Sequence, residues 1–237
     1  MKSTFTILFF LFLVHIMRSQ ESTSLSFERY ISLRQVSGVQ LSSDGKHIIY
    51  NVSSSNWNEN SYDSEIWMSK SGQQAFQLTN TLKGSSNAGT FSPDSRWVSF
   101  LSDRGNKAQI YLISVEGGEA FAITNEEGGI SRYEWSPDGS SIAFTKLESE
   151  TKKEKNIIER YGAFGVEGEE FKLSHLWLLK VDLDAIWNVG LLPCYSANAD
   201  SSMQKVQTPC YTFPKASRLT EGTFTVTGFG WSPEGTT

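Results

Sequence analysis

Four groups of residues in this sequence carry side chains that chemistry could use. In Gly230-Trp231-Ser232-Pro233-Glu234-Gly235 a serine stands between glycines. A nucleophile elbow has the form Gly-x-Ser-x-Gly on a strand-to-helix turn, which exposes the hydroxyl and supplies backbone donors for an oxyanion. Here the glycines are one residue too far apart, and Pro233 removes the N–H that would follow the nucleophile. Ser232 therefore reads as a turn residue. Glu167, Glu169 and Glu170 form an acidic cluster that could hold a ligand ammonium through charge-assisted hydrogen bonds, although composition alone favours a solvated loop. Cys194 and Cys210 would pair in an oxidising compartment only if their Cα atoms lie roughly 4.4 to 6.8 Å apart. Asn51-Val52-Ser53 matches the N-glycosylation sequon, which matters only on a eukaryotic secretory route.

Other reactive arrangements are missing from the sequence. No HExxH, CxxC pair or phosphate-cradling glycine loop occurs, so neither a metal nor a cofactor is expected. His47 and His175 sit in apparent strands and read as structural residues rather than general bases. No catalytic residue is expected within the 237 residues. Residues 5–17 are apolar except for Thr6 and His15 and follow Lys2. A bilayer core of roughly 30 Å needs about 20 apolar residues, so residues 1–24 read as a signal peptide, with a retained membrane anchor as the alternative. Secretion is the expectation. Without Lys2 and Arg18, 19 basic residues face 26 acidic ones, and the net charge moves from -5 to -7. No basic patch remains for nucleic acid.

The organising feature is a repeat. Phe91-Ser92-Pro93-Asp94-Ser95, Trp135-Ser136-Pro137-Asp138-Gly139 and Trp231-Ser232-Pro233-Glu234-Gly235 share one motif, and Leu41-Ser42-Ser43-Asp44-Gly45 is a weaker copy. Proline presets the first central turn position, aspartate suits the second and glycine the fourth, which predicts a tight hairpin. A strand with two-residue periodicity follows each turn. Ile48 and Tyr50, Val98 and Phe100, and Ile142 and Phe144 are equivalent and are expected on the buried face. A third strand carries Glu65-Ile66-Trp67-Met68, Gln109-Ile110-Tyr111-Leu112 and His175-Leu176-Trp177-Leu178. A short fourth ends at Thr79, Thr124 and Thr220. From these threonines to the aromatic residue before the next turn is twelve, eleven and eleven residues. Four strands in about 45 residues is the mark of a β-propeller blade. A generic sandwich repeats strand spacing but not this order of motifs.

The fold class expected is therefore all-β: a partial propeller of four-stranded antiparallel blades. Blades are placed at about 30–80, 81–125 and 126–221, with the first hairpin of a fourth at 222–237. The third is swollen by two insertions. Residues 147–173 begin with a charged stretch suited to a short solvated helix and continue into Tyr161-Gly162-Ala163-Phe164 and the acidic cluster. Residues 185–214 contain both cysteines and read as a long surface loop, or as sequence that splicing removes. Trp57 lies on a blade loop where it could touch a ligand or fold back on its own blade.

The Ser-Pro-Asp-Gly form of the turns resembles the propellers of TolB-like proteins and of the prolyl oligopeptidase family, which includes dipeptidyl and acylaminoacyl peptidases. The order of charged stretch, Tyr-Gly-Ala-Phe, acidic cluster, His-Leu-Trp-Leu and Arg-Leu-Thr-Glu-Gly strengthens the second likeness. That resemblance covers about 30–182 and 216–235. It implies a secreted serine peptidase in which residues 25–237 form an incomplete propeller that gates or positions short peptides. The triad-bearing α/β-hydrolase domain lies outside this sequence, so the chain alone is expected to be inactive. It also gives Glu167, Glu169 and Glu170 the role of anchoring a peptide's amino terminus. The alternative is a non-enzymatic TolB-like module that binds another protein. An open propeller is further expected to self-associate through its uncovered ends.

Overall fold

The computed structural model describes residues 25–162, 172–189, 193–197, 203–209 and 215–235. The expected signal segment, the three candidate glutamates and Cys210 lie outside them. The chain divides into two units, residues 1–33 and 34–237. In the first, α1 (Phe27–Ile31) is capped by Ser26, whose side chain accepts from the Arg29 N–H.

The second unit contains three four-stranded antiparallel sheets. The first blade runs β1 (Gln35–Leu41), β2 (His47–Asn56), β3 (Ser61–Lys70) and β4 (Phe76–Gln77). The second runs β5 (Ser86–Phe91), β6 (Trp97–Ser102), β7 (Gln109–Ser114) and β8 (Phe121–Ala122). The third uses β9 (Ile130–Trp135), β10 (Ser141–Leu147), β11 (Ser174–Lys180) and β14 (Ser217–Arg218). Between β10 and β11 lies α2 (Lys152–Tyr161), and between β11 and β14 lie α3 (Leu183–Val189) and a hairpin of β12 (Pro193–Ala197) and β13 (Met203–Pro209). The second unit is thus mostly β, with its described helices confined to the insertions.

The turn motif builds the same hydrogen-bond network in each blade. Ser42, Ser92 and Ser136 donate their hydroxyls to Asp44, Asp94 and Asp138 at 2.6, 2.5 and 2.6 Å. The same hydroxyl oxygens accept from the N–H groups of His47, Trp97 and Ser141. Each aspartate also accepts from the N–H two residues on. The fourth turn position is left-handed: Gly45, Ser95, Gly139 and Gly235 have φ of 71°, 59°, 73° and 67°. This is the type I turn with a left-handed exit that suits short hairpins.

Blade faces are directional. Ile49, Ile66 and Met68 of the first blade pack with Val98 and Phe100 of the second. The opposite face of the second blade, with Trp97, Leu101, Ile110 and Leu112, packs with Ile142 and Phe144 of the third. All of β6 is therefore buried. The expectation for the buried face holds in blades two and three but is corrected in the first. There Ile48 is 41 % exposed and Tyr50 half-buried, whereas Ile49 is 1 % exposed. The physical reason is the direction of stacking: Val98 with Phe100, and Ile142 with Phe144, face the preceding blade, and among the described blades none precedes the first. Leu41 and Val39 share that exposure at 63 and 65 %.

Close contacts fix the spacing between blades. A Cβ at Gly89 would come within 2.9 Å of Ile66 Cδ1, so glycine permits β5 to lie on the first blade. The Tyr133 hydroxyl donates to Ala88 O at 2.8 Å, and Trp135 Nε1 donates to Ser99 Oγ at 2.8 Å. Ile130 N–H donates to Ala108 O across the same junction. Five residues before Trp231, Val226 N–H repeats that contact with Ser174 O. Residues 222–235 form no strand ladder among the described residues, so the first hairpin expected for a fourth blade is represented only by its turn, where Gly235 N–H donates to Ser232 O.

The insertions add two helices. Thr151 and Glu154 form a reciprocal capping box at the start of α2. The second insertion is not all loop: the Asp182 carboxylate accepts from Ala185 N–H, and α3 buries Ile186 fully. Trp187 meets Trp97 edge-on at 5.5 Å, and Asp184 pairs with Arg96 at 2.6 Å.

The turn aspartates make stability depend on pH. The Ser42 hydroxyl, then the Lys46 N–H, hold Asp44 at a pKa of about 2, against an ordinary 3.8. Ser136, then Ser140, do the same for Asp138, also to about 2. At Asp94 burial opposes ionisation, and hydrogen bonds from Ser92 and Arg96 outweigh it, so its pKa is also lowered. Folded-state values below the unfolded ones mean that this stability is present above about pH 4 and is lost as pH falls towards 2. Asp44→Asn with Asp138→Asn should flatten the pH dependence of the urea midpoint over that interval. An unchanged slope would show that these networks do not carry it.

Candidate functional site

Up-and-down connectivity places the Ser-Pro-Asp-Gly turns at one end of every blade and the β2–β3, β6–β7 and β10–β11 connections at the other. The turns themselves are nearly invariant, the opposite end differs from blade to blade, and the third blade's second insertion, between β11 and β14, lies at the turn end. In the first blade β2 and β3 continue as a two-stranded ribbon through the pairs Ser53–Ser64 to Asn56–Ser61. Trp57 follows at its tip and is 58 % exposed, so it does not fold onto its own blade. In the second blade the same connection is short, and the Arg104 guanidinium lies 4.7 Å from the Tyr111 ring centre. In the third blade it holds α2. The chain leaves the described residues after Gly162 and returns at Lys172, so both ends of the segment carrying Glu167, Glu169 and Glu170 are on this elaborated end. Lys172 Nζ lies 3.9 Å from Glu150 and 4.0 Å from Glu154.

A threonine latch underlies this end. Thr79, Thr124 and Thr220 accept through their hydroxyl oxygens from the N–H groups of Ile66, Ile110 and Leu176 at 2.9, 2.9 and 3.0 Å. Each hydroxyl also meets the side chain of the residue before that position. Thr79 donates to Glu65, Thr124 to Gln109 Oε1 at 2.9 Å, and Thr220 approaches His175 Nδ1 at 3.4 Å. Glu65 and Gln109 also accept from Thr81 N–H and Glu126 N–H. The latch ties the short outer strand to the third strand. The spacing of these threonines is visible in sequence; their partners are not obvious because Glu, Gln and His share no sequence class, only the ability to accept one proton.

The remaining candidates have structural settings. His47 lies beside its turn, with Nδ1 3.8 Å from Asp44 and its ring packed near Phe91. Ser232 is in the fourth turn, as expected from Pro233. Asn51 is buried, and its amide donates to Ser86 O at 3.0 Å. A glycan on that nitrogen would have to displace the contact between the first two blades, which argues against use of the sequon in the folded chain. Cys194 is in β12, and its proposed partner Cys210 falls outside the described residues. Burial first, and then Glu65, push the Asp63 carboxyl above its ordinary range. No group of three or more His, Cys, Asp or Glu suited to a metal occurs among the described residues.

Two clefts open on the blades. One of about 550 Å³ is lined by Lys107, Gln109, Tyr111, Glu126, Leu179 and Lys215 among others. Another of about 450 Å³ lies at the base of the third blade's first insertion, beside Glu148, His175, Trp177 and Arg218. Neither brings a hydroxyl nucleophile and a base together with oxyanion donors in a described catalytic arrangement.

No protein-family model matches the chain. The uncharacterized peptidase YuxL of Bacillus subtilis is 38 % identical over 144 residues, covering 58 % of this chain and 22 % of its own. Dipeptidyl-peptidase 5 of Porphyromonas gingivalis is 31 % identical over 134 residues, covering 56 % of this chain and 19 % of its own. The chain therefore spans about a fifth of the length of these curated relatives. Among solved structures, Pyrococcus horikoshii acylaminoacyl peptidase aligns at 14 % identity and TM-score 0.48, over 66 % of this chain and 24 % of that one. TolB from Acinetobacter baumannii aligns at 20 % identity and TM-score 0.39, over 61 % and 29 %. The chain thus has partial homology to YuxL and dipeptidyl-peptidase 5.

The latch generates a stability prediction. Thr124→Ala removes a buried hydroxyl and leaves Ile110 N–H and Gln109 Oε1 short of a partner. The expected loss is about 1 to 3 kcal/mol, measured by urea unfolding. A neutral result would show that the latch is incidental to the blade.

Proposed function

We propose that these blades belong to a secreted serine peptidase of the prolyl oligopeptidase family and gate or position short peptides for an α/β-hydrolase domain. The observation that carries this reading is the 38 % identity with a peptidase over 144 residues. Two physical features support it. The Ser-Pro-Asp-Gly turns are structurally uniform, whereas the β2–β3 ribbon and the first insertion of the third blade elaborate the opposite end, which suits a scaffold that presents variable loops to a ligand. Ser232 is held in a hairpin turn before proline, which fits chemistry carried by another part of a longer polypeptide.

In this reading peptide hydrolysis is acyl transfer to a serine of the hydrolase domain, with a histidine base and an oxyanion hole. The propeller contributes binding and orientation rather than bond cleavage. Its ribbon and the insertion after β10 face the peptide, and Glu167, Glu169 and Glu170 hold the ammonium of its first residue. The open Ile48 face of the first blade self-associates when the chain is isolated. Residues 1–24 direct export, and Cys194 with Cys210 closes the second insertion in the oxidising compartment.

The experiment treats two samples with a fluorophosphonate probe: this chain and its longer product carrying a Gly-x-Ser-x-Gly domain. The chain should remain unlabelled at Ser232 and should not cleave dipeptide substrates, whereas the longer product should do both. Replacing the three glutamates by glutamine in the longer product should raise KM about tenfold for free-amine peptides and leave acetylated ones unchanged. Labelling of Ser232, or hydrolysis by the chain alone, would contradict the assignment of chemistry to a separate domain.

A further inference from the structure

The cleft at the base of the first insertion contains a donor with no hydrogen-bond partner. His175 is 1 % exposed, and its Nε2 makes no hydrogen bond. The repeat defines its protonation. In blade one the latch threonine donates to a carboxylate and in blade two to an amide oxygen, groups that cannot return a proton from those atoms. The Thr220 hydroxyl lies 3.4 Å from His175 Nδ1; a hydroxyl that donates there, as in the other two blades, places the imidazole proton on Nε2. His175 is one of the residues that line the cleft of about 450 Å³.

A second donor converges on the same place. Arg218 Nε donates to Thr220 O at 2.7 Å, which holds the guanidinium. Its Nη2 lies 3.8 Å from Glu148 Oε1, and His175 Nε2 lies 3.5 Å from that same oxygen. Both distances are longer than a formed hydrogen bond. Glu148 is 46 % exposed, so its carboxylate can leave for solvent. Lys146, on the cleft wall, pairs with Glu126 and lies over the Trp177 ring, so its charge is already engaged. The two oriented donors thus face one oxygen of a half-exposed carboxylate that reaches neither.

We propose that this cleft binds a ligand carboxylate between His175 Nε2–H and the Arg218 guanidinium, with Glu148 as the built-in competitor that yields to it. The matching chemistry is a peptide carboxylate, either a chain terminus or an acidic side chain, because an arginine and a neutral N–H donor suit two carboxylate oxygens. The inference does not depend on the peptidase reading: it concerns binding by residues of this chain, with no bond made or broken.

The test titrates the full chain with N-acetyl-Ala-Ala, its C-terminal amide and N-acetyl-Ala-Glu amide, following the His175 ring resonances by NMR. The free acid should bind and the Ala-Ala amide should not. Binding of the Glu peptide as well would identify a general carboxylate site, and its failure to bind would identify a chain-terminus site. Glu148→Gln should tighten binding about tenfold, and Arg218→Gln should weaken it by a similar factor. Blades one and two supply variants compatible with the latch. His175→Gln retains an acceptor and an N–H donor and should still bind, read by calorimetry, whereas His175→Glu retains the acceptor, adds a competing charge and should abolish binding. Equal binding of the Ala-Ala acid and amide, or wild-type affinity in His175→Glu with an unchanged circular dichroism spectrum, would overturn the proposal.

Discussion

A four-stranded sheet has two faces, and a single blade cannot cover either of its own. The rest of this structure follows from that constraint. β6 and most of β10 are buried on both faces because blades stand on each side or the following segment lies across them. Full burial of a side chain such as Phe100 contributes about 1.5 to 3 kcal/mol relative to exposure, and here it is obtained only by stacking one blade against the next. Among the described residues the first blade has a neighbouring blade on one side alone, and its β1 is exposed throughout.

Stacking requires every blade to present its faces at the same angle, and two local devices secure this. The serine–aspartate turn fixes where the first strand passes into the second, using one hydroxyl to bind both a carboxylate and an N–H. The threonine latch fixes the outer strand at the other end. The turn tolerates little variation because its aspartate must accept several hydrogen bonds at once. The latch asks only for an acceptor, so Glu65, Gln109 and His175 serve equally, and the third choice leaves an N–H facing a cleft. The chemically looser restraint at the latch end allows its side chains to differ between blades.

Much of this was legible in sequence. The turns, strands and closing threonines declare themselves because each depends on neighbours within a few residues: proline presets φ, glycine accepts a left-handed conformation, and alternation marks a sheet. Which face of β2 is buried was not legible, since Ile48 and Ile49 are both apolar and only the position of adjoining blades distinguishes them. The helix after Asp182 was hidden for a related reason. Leu183, Ile186 and Trp187 make a one-turn apolar stripe too short to stand out, and it becomes decisive only where Trp97 and Arg96 of another blade receive it. The candidate cleft needed the structure too, because Glu148, His175 and Arg218 converge from three separate segments.

The central claim is that burial is set by the order of stacking rather than by the composition of each blade, and hydrogen exchange resolved by residue tests it most directly. The slowest amides should fall in β6, β7 and β10, with β1 exchanging orders of magnitude faster although its strand pairing with β2 is regular. Protection in β1 equal to that in β6 would contradict the account, since it would mean that the Ile48 face is covered or that each blade is stable without its neighbours.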